Sequence, residues 1–571
     1  MPSIGAPWVA AVSATAAPTG WRDWAATLLV ASLFALLILE PVLARPGWPY
    51  NHESLSFITR MSGIAGQWQL GHLLPVWSTA EQWGYGSPAP ALYHKAFAYL
   101  SATVLLATGS PKASLCAALL TFMVAGFCGA AMAVRLALGR ADHLAEWTAG
   151  ALVISCNYAT TDWFIRGAFA EFAGMAVVTW VFAWCAALLV TGRWPLWIGP
   201  IMALLVVSHV TIALFSLLPL SLAVLFASAA WGAGAARWIK PAVVSIVLFA
   251  VLCAPFMLPI ALMSNWARID ALQQPGYELR SSHVPIDRLL WDTAWHWGER
   301  WTGYTIQLDL VLVAALLTAA LASQGRPAGR VTPFLFAVLI VMVLLQTSLA
   351  IPLYEAVPGG VFIQFSWRLL TFISVSLAIS GGLLTARVAA WRPGLGVAVA
   401  AGLLASTVPN KPWWSGIHYG WYNAAQLEAA VRGNLAAAGE YLPRTTAMTA
   451  PATDGNVPVP AFHDPDTCTV LPDSDDGVER REAAFHIACR TAAEVALPLF
   501  EAPGMAARAV HAGAAAEISI RRTCDDPRAR VALGAGESLV TIEFPAWTSL
   551  IRARASDTGF WYARDCRPPE H

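Results

Sequence analysis

The sequence predicts an α-helical polytopic membrane protein with about eleven transmembrane helices, followed by a C-terminal extracytoplasmic domain of mainly β structure. Three observations carry this. Apolar runs approaching the ~20 residues needed to cross a bilayer recur between residues 24 and 408. Charged residues make up only 12% of the chain, about half the ~25% of a soluble protein, so much of the surface does not face water. From Asn410 onward the apolar runs stop, and short alternating segments replace them.

The runs are Trp24–Leu43, Lys112–Val134, Leu144–Asn157, Phe172–Val190, Pro195–Val207, Ile212–Ala229, Pro241–Met263, Leu308–Ala322, Val331–Ala350, Leu369–Leu384 and Leu395–Val408. A polar Ser208–His209 step separates the fifth from the sixth. Trp24–Leu43 is long for a signal-peptide core, so it reads as a retained anchor. With residues 1–23 cytoplasmic, the short loops carrying Arg135 and Arg140, Arg193, Arg237 and Lys240, Arg326 and Arg330, and Arg387 and Arg392 all fall inside, as positive loops should. This requires Ala91–Ala107 not to cross, so it reads as an interfacial or re-entrant helix. The membrane domain then covers residues 24–409, with long external loops at 44–111 and 264–307. An odd number of spans puts residues 410–571 outside the cytoplasm. The 27 Trp residues suit interfacial anchoring, and the net charge of zero gives no general attraction to nucleic acid.

The C-terminal segment alternates with period two in Glu517–Arg522, Ser538–Phe544 and Phe560–Ala563. Turn residues separate these stretches at Asp525-Asp526-Pro527 and Gly534-Ala535-Gly536, which points to an antiparallel β-sandwich. Cys468, Cys489, Cys524 and Cys566 lie here, and an even number in an external domain predicts two disulfides with three possible pairings. Tight Cys-x-x-Cys pairs for zinc are absent. Asp473–Gly477 has the look of a calcium loop, but Val478 stands where a glycine is required, leaving a solvated acidic turn.

Ionisable residues close to apolar spans are costly and invite functional readings. Glu53, in Asn51-His52-Glu53 after the first span, could take a proton from an acceptor hydroxyl; on position alone it is a solvated loop acid. Arg166 suits a phosphate or pyrophosphate, and Glu171 begins the following helix, where a carboxylate also suits the dipole. A structural Arg–Glu pair is the other reading. His209 is either a packed, hydrogen-bonded residue or a functional polar group. Gln364-Phe365-Ser366-Trp367-Arg368 places a second guanidinium at a span entrance, for a lipid phosphate or for interfacial anchoring. The loop Ser264–Gln307 adds His283, Asp287, Arg288, Asp292, His296, Glu299 and five Trp residues, a composition suited to carbohydrate, lipid headgroups or the membrane interface.

Several stretches in this order resemble a bacterial membrane family. They are Leu74-Pro75-Val76-Trp77-Ser78, Gly84-Tyr85-Gly86-Ser87-Pro88, Leu92-Tyr93, Arg166-Gly167-Ala168 through Glu171, Ser208-His209, Gln364 through Arg368, and Glu440-Tyr441-Leu442-Pro443. Leu497-Pro498-Leu499-Phe500 with Pro503-Gly504, then Leu539–Phe544, is similar to the β-sandwich that follows such membrane parts. The family is the 6-pyruvoyl-tetrahydropterin synthase-related membrane proteins, a YfhO-like branch of the GT-C glycosyltransferases. The resemblance implies a GT-C fold in a bacterial cytoplasmic membrane. It further implies transfer of a sugar from a polyprenyl-phosphate donor to an envelope glycan, lipid or protein acceptor, with membrane lipids around the protein and no nucleic acid partner. An acidic residue of the first external loop is the base in that scheme, and Glu53 matches the position, with Glu where Asp is more usual and His52 beside it. Arg166, Glu171, His209, Gln364, Trp367, Arg368 and Tyr93 are the expected substrate-binding residues. No cofactor and no metal ligand set are expected, although a metal is not excluded. The alternatives are a lipid-linked glycan transporter or flippase, and a non-catalytic scaffold of an envelope polysaccharide complex.

Overall fold

The computed structural model describes residues 21–79, 81–82, 85–232, 236–263, 267, 280, 283–290, 307–322, 328–357, 360–408, 420–431, 467–472, 481–521 and 528–555. Its principal helices, in chain order, are α1 (Trp21–Leu43), α2 (Ser54–Gln69), α3 (Ala96–Thr108), α4 (Pro111–Leu138), α5 (His143–Ser155), α6 (Phe169–Thr191), α7 (Ile198–Ser208), α8 (Val210–Phe215), α9 (Leu217–Trp231), α10 (Ala236–Met263), α11 (Leu310–Ala322), α12 (Ala328–Gln346), α13 (Leu370–Trp391), α14 (Pro393–Ser406), α15 (Ala424–Val431) and α16 (Trp547–Ala555). Every predicted apolar run coincides largely with helix, although Ile212–Ala229 is divided between α8 and α9 at Ser216. Seven helical segments among the described residues are long and apolar enough to cross a membrane: Trp21–Leu43, Pro111–Leu138, Phe169–Thr191, Val210–Trp231, Ala236–Met263, Ala328–Gln346 and Ser366–Trp391. The chain is a multi-pass membrane protein on this basis.

The other predicted spans form shorter helices, and extended residues end two of them. α5 has 13 residues and stops at Cys156, which is extended, before Asn157. α7 has 11 residues and stops at His209, whose φ of −164° is also extended. At about 1.5 Å per residue, neither reaches across a hydrocarbon core of ~30 Å alone. α3, predicted not to cross, has 13 residues and ends at left-handed Gly109.

The residues group into two compact units. The first comprises Met1–Glu53, Leu115–Cys253 and Pro275–Tyr422. Its most enclosed helices are α6 and α13. α13 carries Ser374, Ser376, Ser380, Gly381, Gly382 and Thr385 among its buried residues. Small residues let helix backbones approach closely where lipid supplies no hydrophobic drive. At Gly382 a Cβ would lie 2.6 Å from the Ala145 carbonyl oxygen of α5, so the close approach depends on the missing side chain. α4 and α5 are joined by a buried bidentate pair, Arg135 Nε and Nη2 to Glu146 at 2.8 and 2.7 Å. A two-stranded ladder, β1 (Trp48–Pro49) with β2 (Trp421–Tyr422), completes this unit.

The second unit comprises Ser54–Ser114, Ala254–Gln274 and Asn423–His571. It holds two antiparallel sheets. β3 (Cys468–Pro472), β4 (Glu482–Cys489), β6 (Ala506–His511), β7 (Ala514–Ile518) and β10 (Gly536–Glu543) form one sheet in the order β3-β4-β10-β6-β7. β5 (Ala493–Phe500), β8 (Ile520–Arg521) and β9 (Arg528–Leu533) form the other, in the order β5-β9-β8. Register puts Phe485 opposite Val540 and Ala483 opposite Ile542, and all four are buried. The period-two pattern therefore turns one face of each strand inward. Phe485, Ile487, Val540 and Ile542 share a core with Val495, Leu497 and Leu499 of β5 and Val531 of β9, which makes the two sheets a sandwich. The predicted strand Glu517–Arg522 divides at Ser519, where the chain leaves the first sheet for the second. Cys468 and Cys489 are directly opposed on β3 and β4 and form a disulfide. Cys524, Cys566, Phe560–Ala563, the acidic turn at 473–477 and Glu440–Pro443 lie outside the described residues.

Candidate functional site

The site begins where the apolar run of α5 fails. After Cys156 the chain makes one short turn, Asn157–Thr160, and then a π-helix over Thr161–Arg166. Single π turns recur at functional sites, because the wider turn re-aims side chains. Gly167 closes it in the left-handed region, φ 70°, with its N–H donating to the Asp162 carbonyl. A Cβ on Gly167 would lie 2.4 Å from Asn51 Oδ1, so glycine meets both the backbone and the space requirement. α6 then starts at Phe169 and sets Glu171 in its first turn.

Four charged side chains meet here, all nearly or fully buried. Arg166 Nη1 lies 2.5 Å from Asp162 Oδ1 and 3.2 Å from Glu171 Oε2. Arg368 Nε reaches the same Glu171 Oε2 at 3.4 Å, and its Nη1 donates to the Ile363 carbonyl at 3.1 Å. Tyr158 donates its hydroxyl to Glu171 Oε1. Burial, with Glu171 adding, pushes the Asp162 carboxyl well above the usual carboxylate range against the pull of Arg166. Asp162 Oδ2 is buried with no hydrogen-bond partner among the described residues. Burial also raises the Tyr158 phenol, with Glu171 adding to it, so Tyr158 stays a donor.

An aromatic layer covers the guanidinium groups. Phe365 and Trp367 stack at 4.5 Å with planes 16° apart. Arg166 sits 5.8 Å from the Trp367 ring centroid, and Arg368 sits 5.0 Å from that of Phe365. Cations over ring faces gain from the ring quadrupole, most of all where water is excluded. Gln364, between this stack and the preceding turn, holds φ 59°, a left-handed conformation that costs a non-glycine residue about 1–2 kcal/mol.

The loop after α1 is tied to this cluster. His52 N–H donates to the Arg166 carbonyl at 3.1 Å, and Asn51 Nδ2 approaches the Phe164 carbonyl at 3.5 Å. Burial first, and the Arg166 charge second, push the His52 imidazole down to about 3. It is neutral over the ordinary pH range, so it adds no charge to the cluster. Glu53 is half-buried and lies within electrostatic reach of Asp162.

Of the residues singled out from sequence, Arg166, Glu171 and Arg368 share direct contacts, and Trp367 and Gln364 belong to the same layer. His52 and Glu53 adjoin them. His209 caps α8, its Nδ1 accepting from Ile212 N–H at 3.3 Å, and lies within electrostatic reach of Arg368 and Arg166. Tyr93 belongs to the second unit, where Arg60 sits 4.0 Å from its ring centroid. Asp162 and Tyr158 were not singled out. Asp162 stands four residues before Arg166, the spacing of a same-face helical pair, and that signal was present in the sequence. Of the long loop, Asp292, His296, Glu299 and the five Trp residues lie outside the described residues. Among the described residues no group of three His, Cys, Asp or Glu is placed to hold a metal ion.

No family model matches the chain, so the resemblance to the 6-pyruvoyl-tetrahydropterin synthase-related proteins rests on its own motifs. No curated protein matches either. Among solved structures, the chain is similar to the archaeal oligosaccharyltransferase AglB from Archaeoglobus fulgidus, in complex with an inhibitory peptide and a dolichol-phosphate. The TM-score is 0.34 at 12% identity, over 71% of this chain. The chain spans 57% of the length of that protein.

Proposed function

We propose that this chain is a GT-C-type membrane glycosyltransferase. It takes a sugar from a polyprenyl-phosphate donor and passes it to a cell-envelope acceptor outside the cytoplasmic membrane, with residues 410–571 on that same side. The observation that carries the reading is the convergence of Arg166 and Arg368 on Glu171 beside the loop of His52 and Glu53. Two guanidinium groups face two carboxyls, one of which, Asp162, is pushed toward its neutral form. The two guanidinium groups therefore outweigh the ionised carboxylate that both touch, Glu171, which suits a phosphate.

In this reading the Glu53 carboxylate takes the proton of the acceptor hydroxyl as its oxygen bonds to the anomeric carbon. The bond from that carbon to the phosphate oxygen breaks, and the electron pair leaves on the phosphate. Arg368 and Arg166 stabilise the charge that develops there, as prepositioned donors do in a site closed to water. A lipid-linked donor needs no nucleotide-binding loop, and the scheme has no step that requires a metal.

The test is sugar transfer by the full chain in membranes, supplied with radiolabelled polyprenyl-phosphate hexoses. Glu53→Gln is expected to lower transfer by about 10²–10⁴-fold, the usual contribution of a positioned base. Arg368→Ala is expected to abolish it while the protein still inserts. Wild-type transfer in both variants would overturn the site. Lipid translocation without any sugar transfer would replace the enzyme with a flippase.

A further inference from the structure

The loop that carries Glu53 begins with an aromatic construction that the reaction above does not use. β1 and β2 pair through Trp48 opposite Tyr422 and Pro49 opposite Trp421, and Tyr50 N–H donates to the Gly420 carbonyl at 2.9 Å. Trp48 is fully buried and packs edge-on against Phe169 of α6, 6.0 Å between centroids. The ladder is therefore anchored on the helix that bears Glu171. Tyr50 is less enclosed, with 39% of the residue exposed. It meets Tyr422 at 4.3 Å with planes 78° apart, forming a right-angled corner. At Gly420 a Cβ would lie 2.0 Å from Tyr50 Cδ2, so the ring lies directly over the glycine backbone and has little room to shift. Arg45 covers Trp421 at 5.3 Å, and the Tyr422 hydroxyl points at the Asn51 carbonyl at 3.5 Å.

An exposed tyrosine held this firmly is unusual, because a large ring in water usually keeps its rotamer freedom. Fixing it in advance lowers the ordering cost of binding, which is how a preformed site gains affinity. The chemistry of the corner suits one ligand class. A pyranose ring has an apolar face of C–H groups and a rim of hydroxyls. A tyrosine offers an apolar face and a polar tip. Three residues of chain span at most about 11 Å, so Tyr50 stays within one or two sugar rings of Glu53. In the reaction above Glu53 meets the acceptor hydroxyl, and Tyr50 precedes it by three residues, so the corner is assigned to the acceptor.

We infer that Tyr50 and Tyr422 form an acceptor subsite that stacks a pyranose ring, and that the acceptor is a glycan. This rests on the glycosyltransferase reading, whose acceptor class it narrows. The corner fixes which ring lies beside the base and sets the acceptor's approach, without touching the reacting atoms.

The test uses the full chain in nanodiscs, with maltohexaose, cellohexaose and a chitin hexasaccharide as probes, followed by saturation-transfer difference NMR. At least one probe is expected to bind with ring protons saturated on one face. Tyr50→Ala is expected to weaken that binding at least tenfold, about 1.4 kcal/mol, and Tyr50→Phe to keep most of it. In the transfer assay Tyr50→Ala raises the acceptor KM and leaves the donor KM unchanged. Absence of binding by all three probes overturns the subsite, as does equal binding by Tyr50→Ala and wild type. Protection of a cysteine at position 50 from aqueous reagents also overturns it, making Tyr50 a membrane-interface anchor. The two readings fail separately. Transfer with an unaltered acceptor KM in Tyr50→Ala removes the subsite alone. Tyr50-dependent saccharide binding without transfer removes the enzyme and keeps the subsite.

Discussion

Arg368 reaches Glu171 across 197 residues of chain, Nε to Oε2 at 3.4 Å, with both side chains almost wholly removed from solvent. The contact joins the entrance of α13 to the first turn of α6, the two most enclosed helices of the first unit. Glu171 also accepts from Arg166 and from Tyr158. It is the common acceptor of three donors. A single carboxylate holding two guanidinium groups cannot be removed without leaving both positive charges buried and under-compensated.

Glu171→Ala is therefore expected to lower stability by about 3–5 kcal/mol, the usual cost of breaking a buried pair by deleting one partner. Reversible unfolding of the variant in bicelles measures this. Arg135→Ala, which breaks the separate buried Arg135–Glu146 pair of the unit, should cost a similar amount but leave donor binding intact. Loss of donor binding confined to the Glu171 variant separates a site role from a purely structural one.

Gly167→Ala tests the backbone on which Arg166 is carried. The new methyl meets Asn51 Oδ1 at 2.4 Å, in a left-handed backbone of φ 70°. The conformation alone costs about 1–2 kcal/mol, and overpacking adds about 1–3 kcal/mol. Gly232→Ala is the control, since Gly232 is also left-handed, φ 57°, with nothing within 4 Å of the added methyl. It should show the conformational cost alone. Equal destabilisation of the two variants would mean that the loop at Asn51 moves aside freely.

Much of this arrangement was legible in the sequence, and the parts that were not have a common cause. Apolar runs located the seven described helical segments long enough to span, because hydropathy over a window needs no knowledge of neighbours, whereas α2, with its Ser, Thr, Arg and Gln residues, forms no such run and escaped. Arg166, Glu171 and Arg368 stood out because charge beside an apolar span is costly. Asp162 and Tyr158 did not, because the run through Asn157 hid the break after Cys156 and the π turn that follows. The pairing of Trp48–Pro49 with Trp421–Tyr422 was invisible, since two residues give no alternation and their partners lie far apart in the chain. Helix lengths also escaped, because the extended backbones of Cys156 and His209 leave no mark on an average hydropathy. In the sandwich, alternation placed Ser538–Phe544 well, but Glu517–Arg522 could not reveal that its two halves belong to different sheets.

The Cys468–Cys489 disulfide fastens the edge strand β3 to β4 across a sequence separation of 21. Closing a loop of that size in the unfolded chain is worth about 3 kcal/mol in the chain-entropy account. Replacing both cysteines with serine should lower the unfolding free energy of the second unit by that amount, and reductant should reproduce the loss in the wild type. A double variant as stable as the parent, with reductant still lowering the parent's midpoint, would assign the effect to a different bridge.

The His52 imidazole gives a pH signature with a definite sign. Burial and the Arg166 charge lower it from 6.5 to about 3 in the folded protein. Between those values the unfolded chain binds a proton at this position and the folded chain does not. Stability therefore rises with pH across that window, and acidification from pH 6.5 toward 3 costs stability at His52. Above 6.5 neither state is protonated there, so the contribution is flat. Carboxylates titrate in the same range, so the difference between wild type and His52→Gln is the quantity to measure. That difference should change with pH only below about 6.5, with the wild type losing more on acidification. Parallel stability profiles for the two proteins would mean that the imidazole is solvated and does not feel Arg166, and that the loop bearing Glu53 is not docked where its backbone contact with Arg166 puts it.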